Sequence, residues 1–385
     1  MTGCTGLTQL DCRWSGLTSL EIAGCDALET LMCSSNPLVS LNLVGCPSLT
    51  SLECQYTDLS SLDLSGCGAL TTVDCSTNWQ LAQLDVSGLS SLQSLSCYDN
   101  ALTSLDVSGC TSLETLACNG NELAALDLAD CTSLVGLVCY DNQITELDLS
   151  GCPELESFSC ANNRLGALDV SGCPDLFLLE CSDNEIATLQ LCEGGILAAV
   201  FCSDNQIASL DLSAAPELKM LDCAGNQLEE LDISPCPELA SLACSNNRIA
   251  DVSALLAWAN VEDHLAMDDF TVQDADTVDP DEPTDPDTPT DPEGPVDPDQ
   301  PNDGQGGSSG GDQEAGQDGA GGQGTQGSEQ IGDREPQSTI PQTGDASASS
   351  VLPGLFGGAL ASFSAAVLAL VRRRGTDVTA SSGSR

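Results

Sequence analysis

Basic residues are scarce. Nine Lys and Arg stand against 59 Asp and Glu, for a formal net charge of −50 over 385 residues. Phosphate backbones and anionic lipid surfaces repel such a chain, which excludes nucleic-acid binding as a function. Histidine occurs once, as His264, so histidine-based catalysis and His-rich zinc sites lack their material. Aromatic residues amount to 3%, so the core must be aliphatic and sulfur-lined. No nucleophile–base pair and no Gly-rich phosphate loop stands out. The chain reads as a non-enzyme that needs no cofactor.

What is present is a repeat. A 21-residue unit recurs about twelve times between Cys4 and Cys244, as in Leu113 to Ser133 and again in Leu134 to Glu154. A fixed period of this length is the signature of a solenoid, whose units bury their apolar faces only against neighbours. Each unit opens with Leu, from Leu7, Leu28 and Leu49 onward to Leu239, and five residues later carries Cys, from Cys12 to Cys244. Leu95-Ser96-Cys97 alternates apolar and polar, which predicts a strand with Leu95 and Cys97 turned inward. Leu105-Asp106-Val107 alternates likewise, which predicts a second short strand per turn, stacked in parallel with its neighbours.

Three further columns follow from the period. Asn stands three residues after the Cys in ten units, from Asn36 to Asn247, with Ser15 and Thr57 in the other two. A side-chain amide has donors and an acceptor to satisfy the backbone of a tight turn, so this column reads as structural. Asp63, Asp85, Asp106, Asp127, Asp148, Asp169, Asp211 and Asp232 share one outward position. Stacked like charges repel; Ser hydroxyls, backbone N–H groups or Ca²⁺ are the candidate compensators. Two cysteine columns account for most of the 22. Buried packing thiols are the simplest reading of both, with disulfides between adjacent turns as the alternative. No C-x-x-C pair supports a metal site. Two departures stand out: one extra residue near Trp79-Gln80, and a unit around Gln190 to Gly195 that loses its Asp and shifts its second Cys, predicting a local bulge.

L-x-x-L-x-C-x-x-N-x-L resembles the leucine-rich repeat signature, with Cys for the third Leu. The short period and the L-D-L-S-G-C segment resemble the 21-residue class of bacterial surface proteins. The resemblance covers roughly residues 4–250. It implies a β-rich solenoid: a curved leucine-rich repeat stack with a parallel sheet on its concave face. The expected organisation is a solenoid at 1–250, a C-terminal cap at 251–273 with Trp258 over the last turn, a linker at 274–339 and a sorting segment at 340–385. The Met1-Thr2-Gly3-Cys4 start lies inside a repeat and shows no export signal; an upstream beginning is expected.

Between Asp274 and Ser338 the chain is acidic, Pro-spaced and then Gly/Gln/Ser-rich, a composition that predicts a disordered linker. Ile340-Pro341-Gln342-Thr343-Gly344 follows, then an apolar run from Val351 to Val371 long enough to span a bilayer as a hydrophobic helix, closed by Arg372-Arg373-Arg374. This ordered set resembles the sorting signal of cell-wall-anchored proteins of Gram-positive bacteria, with Ile340 in place of the usual Leu. The resemblance implies that a sortase cuts between Thr343 and Gly344 and joins Thr343 to peptidoglycan. The membrane would hold the helix only transiently, and the mature protein would be extracellular.

Outward positions beside the core Leu and Cys vary, and Tyr98, Asp99, Val138, Tyr140, Leu178, Phe201 and Met220 stand out there as ligand-contact candidates. They favour an adhesin-like binding module for an extracellular protein or glycan. The remaining outward positions are mostly Ser, Thr or Ala, which leaves a passive spacer without a specific ligand as the alternative.

Overall fold

The Leu-x-Cys alternation becomes a strand in every unit of the computed structural model, which describes residues 3–193, 195–261 and 264–273. In chain order the strands are β1 (Gln9–Asp11), β2 (Thr30–Met32), β3 (Ser51–Glu53), β4 (Thr72–Asp74), β5 (Ser94–Ser96), β6 (Thr115–Ala117), β7 (Gly136–Val138), β8 (Ser157–Ser159), β9 (Ala167–Asp169), β10 (Leu178–Glu180), β11 (Thr188–Gln190), β12 (Ala199–Phe201), β13 (Met220–Asp222), β14 (Ser241–Ala243) and β15 (Leu265–Ala266). One short helix, α1 (Ser253–Ala259), precedes the last strand. All except β9 and β11 form a single 13-stranded parallel sheet in chain order. Register is kept one unit apart: Leu95 pairs with Leu116, and Leu116 with Leu137. The chain is thus a parallel β-solenoid of about twelve turns. The linker, the IPQTG pentapeptide and the apolar run lie outside the described residues.

The central residue of each strand faces inward. Leu95, Leu116, Leu137, Phe158, Leu179 and Val200 make one continuous file, each at most 1% exposed. The cysteines Cys97, Cys118, Cys139, Cys160 and Cys181 form a second file beside it, equally buried. Burying each such Leu contributes roughly 1.5–3 kcal/mol, and only the stacking of neighbouring turns makes that burial possible. The described cysteines are thiols. In the second cysteine column the sulfur reaches back to a carbonyl of the preceding turn, as in Cys110 Sγ to Val86 O at 3.2 Å and Cys173 Sγ to Cys152 O at 3.6 Å. Cys192, shifted from its column, is still fully buried beside Leu191.

The asparagine column satisfies backbone groups across turns. The Asn163 side-chain amide donates to Cys139 O (3.0 Å), Cys160 O (3.1 Å) and Ala161 O (3.2 Å). Its Oδ1 accepts from the Ile144 N–H at 3.0 Å. The same set recurs at Asn184, Asn205, Asn226 and Asn247. Thr57, which replaces Asn, donates its hydroxyl to Cys54 O at 3.0 Å, while its N–H donates to Asn78 Oδ1. Asn163→Ala strands a buried N–H and two buried carbonyls. It is expected to lower stability by roughly 1–3 kcal/mol, read as a shift of the urea midpoint; an unmoved midpoint would show that the amide is dispensable.

The last turn is closed by the segment after Asn247. Gln273 takes the place of the next Asn: its amide donates to Cys244 O at 3.2 Å and Phe270 O at 2.9 Å, and its Oε1 accepts from Ile249 N–H. The Asp268 carboxylate accepts from Cys244 N–H and Ser245 N–H. Strand β15 pairs with β14, Phe270 is 2% exposed, and Trp258 stacks on His264 with ring centroids 4.4 Å apart.

The expectation of two strands per turn needs correction. Among the described residues a second ladder forms only between β9 and β11, with isolated bridges at Glu21↔Asn42, Leu62↔Leu84 and Asp85↔Asp106. In the β9–β11 pair Gln190 stands opposite Asp169, yet the isolated bridge Asp85↔Asp106 sets two carboxylates opposite each other, so like-charge repulsion does not by itself decide where this ladder forms. Along the row each carboxylate turns to its own backbone, Asp169 of β9 included: Asp106 Oδ1 accepts from Ser108 N–H, Asp169 Oδ1 from Ser171 N–H and Asp211 Oδ1 from Ser213 N–H, all at 2.9 Å. These bonds to Ser hold the Asp63, Asp106, Asp148, Asp211 and Asp232 carboxyls below the usual carboxylate range.

Candidate functional site

Parallel register dictates which outward residues meet. Leu178, Ala199 and Met220 are partners across β10, β12 and β13, and two residues along, on the same face, lie Glu180, Phe201 and Asp222. Three of the sequence-selected residues, Leu178, Phe201 and Met220, therefore share one patch of the sheet face. Leu178 and Phe201 are half-buried, and Met220 is 38% exposed. Two carboxylates that sequence reasoning passed over flank Phe201. The signal was available: 180, 201 and 222 are spaced by one repeat. Burial pushes the Glu180 carboxyl up to about 7, against the opposing bond from Ser182 N–H (3.1 Å). Burial likewise pushes Asp222 up to about 6, with Ala224 N–H donating to it and Asp268 adding repulsion. An apolar platform with carboxylates beside Phe201 suits a ligand that offers apolar side chains and positive charge.

Tyr98 and Tyr140 lie elsewhere, just past strands β5 and β7. Both are half-buried. Burial raises the Tyr98 hydroxyl, with Asp74 and Tyr56 adding to the shift and Ser76 opposing it. Tyr140 is raised by burial and by Asp141 and Asp99. Asp99 is exposed at the turn that follows Tyr98. Val138 corrects the sequence reading: it has the outward register of β7 but is only 5% exposed, and Gly136, Ser157 and Ser159 around it are buried too. Register assigns a side to a residue; exposure depends on what lies over it.

On the other side of the coil a groove of about 620 Å³ is lined by Leu62, Asp63, Gln83, Leu84, Asp85 and Leu89, where the 22-residue unit meets its neighbours. Its carboxylates Asp63 and Asp85 already accept from Ser65 and Ser87. Among the described residues no three His, Cys, Asp or Glu side chains are grouped to hold a metal ion. No helix among the described residues is long and apolar enough to cross a membrane. The pentapeptide Ile340 to Gly344 lies outside the described residues.

Known structures resemble this solenoid. The functional domain of InlJ from Listeria monocytogenes, which includes a cysteine ladder, superposes with a TM-score of 0.56 at 32% identity, over 66% of this chain and 62% of that one. YopM, a leucine-rich effector protein from Yersinia pestis, gives 0.53 at 27% identity, over 62% of this chain and 72% of that one. An internalin from Listeria monocytogenes, InlF, gives 0.50 at 22% identity over 69% and 88%, a likeness of fold alone. The chain thus spans 62% of the InlJ domain it matches. No protein-family model matches the chain, and no curated protein does. These neighbours include bacterial leucine-rich repeat proteins, as the repeat signature implied.

Proposed function

We propose that the protein is a surface-displayed binding module, adhesin-like, which a sortase joins to the peptidoglycan of a Gram-positive wall through Thr343. The sheet face carries the recognition, with Leu178, Phe201 and Met220 as apolar anchors and Glu180 and Asp222 as charge partners for a basic region of an extracellular protein. The observation that carries this reading is the convergence of those five side chains on three adjacent strands. The likeness to bacterial leucine-rich repeat proteins supports it. The ordered pentapeptide, apolar run and Arg372-Arg373-Arg374 support the anchoring.

Two measurements test it. Mass spectrometry of protein released by a muralytic enzyme should find chains ending at Thr343 with a peptidoglycan remnant; chains that retain residues 351–371 would refute the anchoring. Purified host glycoproteins and matrix proteins, screened against the full chain, should yield a partner whose affinity falls at least about tenfold in Leu178→Glu/Met220→Glu, as expected when two interface anchors are lost. A clean negative across the panel favours the spacer reading.

A further inference from the structure

One thiol closes the sheet strand of every turn, and the ladder carries it in register. Cys139 N–H donates to Ser159 O (2.9 Å), Cys160 N–H to Glu180 O (2.8 Å) and Cys181 N–H to Phe201 O (2.8 Å). Neighbouring sulfurs are therefore held one strand spacing apart, about 4.8 Å. Each thiol bears on the next. Burial raises Cys160, with Cys181 and Cys139 adding to the shift, and burial raises Cys181, with Cys202 adding to it. The two cysteine columns differ in what their sulfurs do. In the second column Cys110 and Cys173 reach carbonyl oxygens. The sulfurs of Cys139, Cys160 and Cys181 reach no acceptor among the described residues; burial and neighbouring acidic groups are all that act on them. Each faces another thiol on the turn before and on the turn after.

Space-filling alone does not call for an unbroken line of sulfur. Positions that only fill space drift in this chain. The mid-strand file beside the thiols runs through Leu137, Phe158, Leu179 and Val200, and the second cysteine column admits Leu89 and Ala215, all of them buried. The first cysteine file admits no substitute from Cys12 to Cys244.

We propose that this file binds monovalent coinage-metal ions, Cu(I) or Ag(I), each held in line between the sulfurs of two adjacent turns. Two metal–sulfur bonds of about 2.3 Å laid end to end span about 4.6 Å, close to the strand spacing. Soft sulfur donors select ions of this kind. On binding, one S–H bond breaks and its proton leaves to solvent. Two metal–sulfur bonds form, one to the resulting thiolate and one to the neighbouring thiol, and no electron is transferred. One positive charge replaces another, so the core stays neutral and no unpaired charge is buried. The same geometry excludes zinc. Zinc takes four donors in a tetrahedron, whereas a straight file offers two, and among the described residues no three candidate ligands are grouped. Ions enter when neighbouring turns open locally, so loading is slow. The site lies in the core and is independent of the sheet-face patch.

Anaerobic titration of the reduced full chain with Cu(I) held by bicinchoninate tests it. The chain should take copper from the competitor with about one proton released per ion and with far-ultraviolet circular dichroism unchanged. X-ray absorption should find two sulfurs per copper and no nitrogen or oxygen neighbour. Zn²⁺ at the same concentration should neither displace the copper nor release protons. Cys118→Ala/Cys160→Ala/Cys202→Ala leaves Cys139 and Cys181 about 10 Å from the nearest thiol of the file, too far to share an ion, and should roughly halve the copper bound. Cys110→Ala/Cys131→Ala/Cys152→Ala removes as many thiols from the second column and should bind as the parent does. If the first variant does not fold, the absorption measurement on the parent decides alone. Failure to take copper, three or more sulfurs per copper, binding only with loss of native ellipticity, undiminished capacity in the file variant, or an equal loss in the second-column variant overturns the proposal.

Discussion

Raised to about pH 10 in the presence of reductant, the solenoid unfolds, while from pH 6 to 8 it stays intact: this is the expected result of its sulfur-lined core. Burial pushes the thiols of Cys33, Cys118 and Cys244 up to about 12. It pushes Cys97, Cys139, Cys160 and Cys181, each enclosed in the same file, far above the ordinary thiol range. In the unfolded chain a thiol ionises near pH 8.5. The folded value is the higher one, so the stabilisation is complete below the unfolded value and is lost as the pH climbs toward the folded value. Each buried thiol then removes about 1.4 kcal/mol per pH unit. Seven together remove on the order of 10 kcal/mol per unit, comparable to the whole stability of an ordinary domain. Glu180 acts earlier in the same direction: its contribution is present below the unfolded value of about 4.3 and is gone once the pH passes about 7. Circular dichroism against pH, with thiolate absorbance recorded in parallel, checks this. The two signals should change together, and Cys118→Ala/Cys139→Ala should move the midpoint upward. Native ellipticity persisting at pH 12 would contradict it.

Phe158→Ala is expected to cost about 3–5 kcal/mol. Phe158 is fully buried, the one aromatic in the mid-strand file, and pairs with Leu137 on the turn before and Leu179 on the turn after in register. Removing the ring opens a cavity between turns that cannot collapse without shifting two parallel ladders. Turns of a solenoid hold only their neighbours, so the damage should split the melt rather than lower it uniformly. The halves on either side of β8 should then unfold separately. Calorimetry should show two broadened transitions, and hydrogen exchange should be fastest on β7, β8 and β10. Phe158→Leu, which restores the file's usual residue, should cost less than about 1.5 kcal/mol. A single sharp transition in Phe158→Ala near the parental temperature would show that the stack tolerates the void.

Much of this was legible in the residues, for a specific reason. A repeat multiplies every local signal: Leu95 and Cys97 alone are a weak strand, but the same alternation in every unit leaves one solution, and both are buried as read. The Asn column followed from the same arithmetic, and its bonds to Cys139 O and Cys160 O are those that a buried amide in a turn must make. The second strand per turn was misread, because alternation reports sidedness and not pairing. Leu105-Asp106-Val107 has the alternation, yet its aspartate bonds to Ser108 and stacks on other aspartates. Val138 was misread for a related reason, since its outward register did not make it accessible.

The order of the turns, their inward Leu and Cys files, the amide column and the acid row were determined by the chain on its own, because a 21-residue period permits only one stacking of like on like. The folded molecule alone decided which distant residues became neighbours across the sheet. Glu180, Phe201 and Asp222, remote in the chain, meet because parallel strands bring residues one repeat apart side by side. The extra residue in the fourth unit is absorbed at a turn, which leaves the strand ladders in register, with Thr72 opposite Ser94 and Ser94 opposite Thr115.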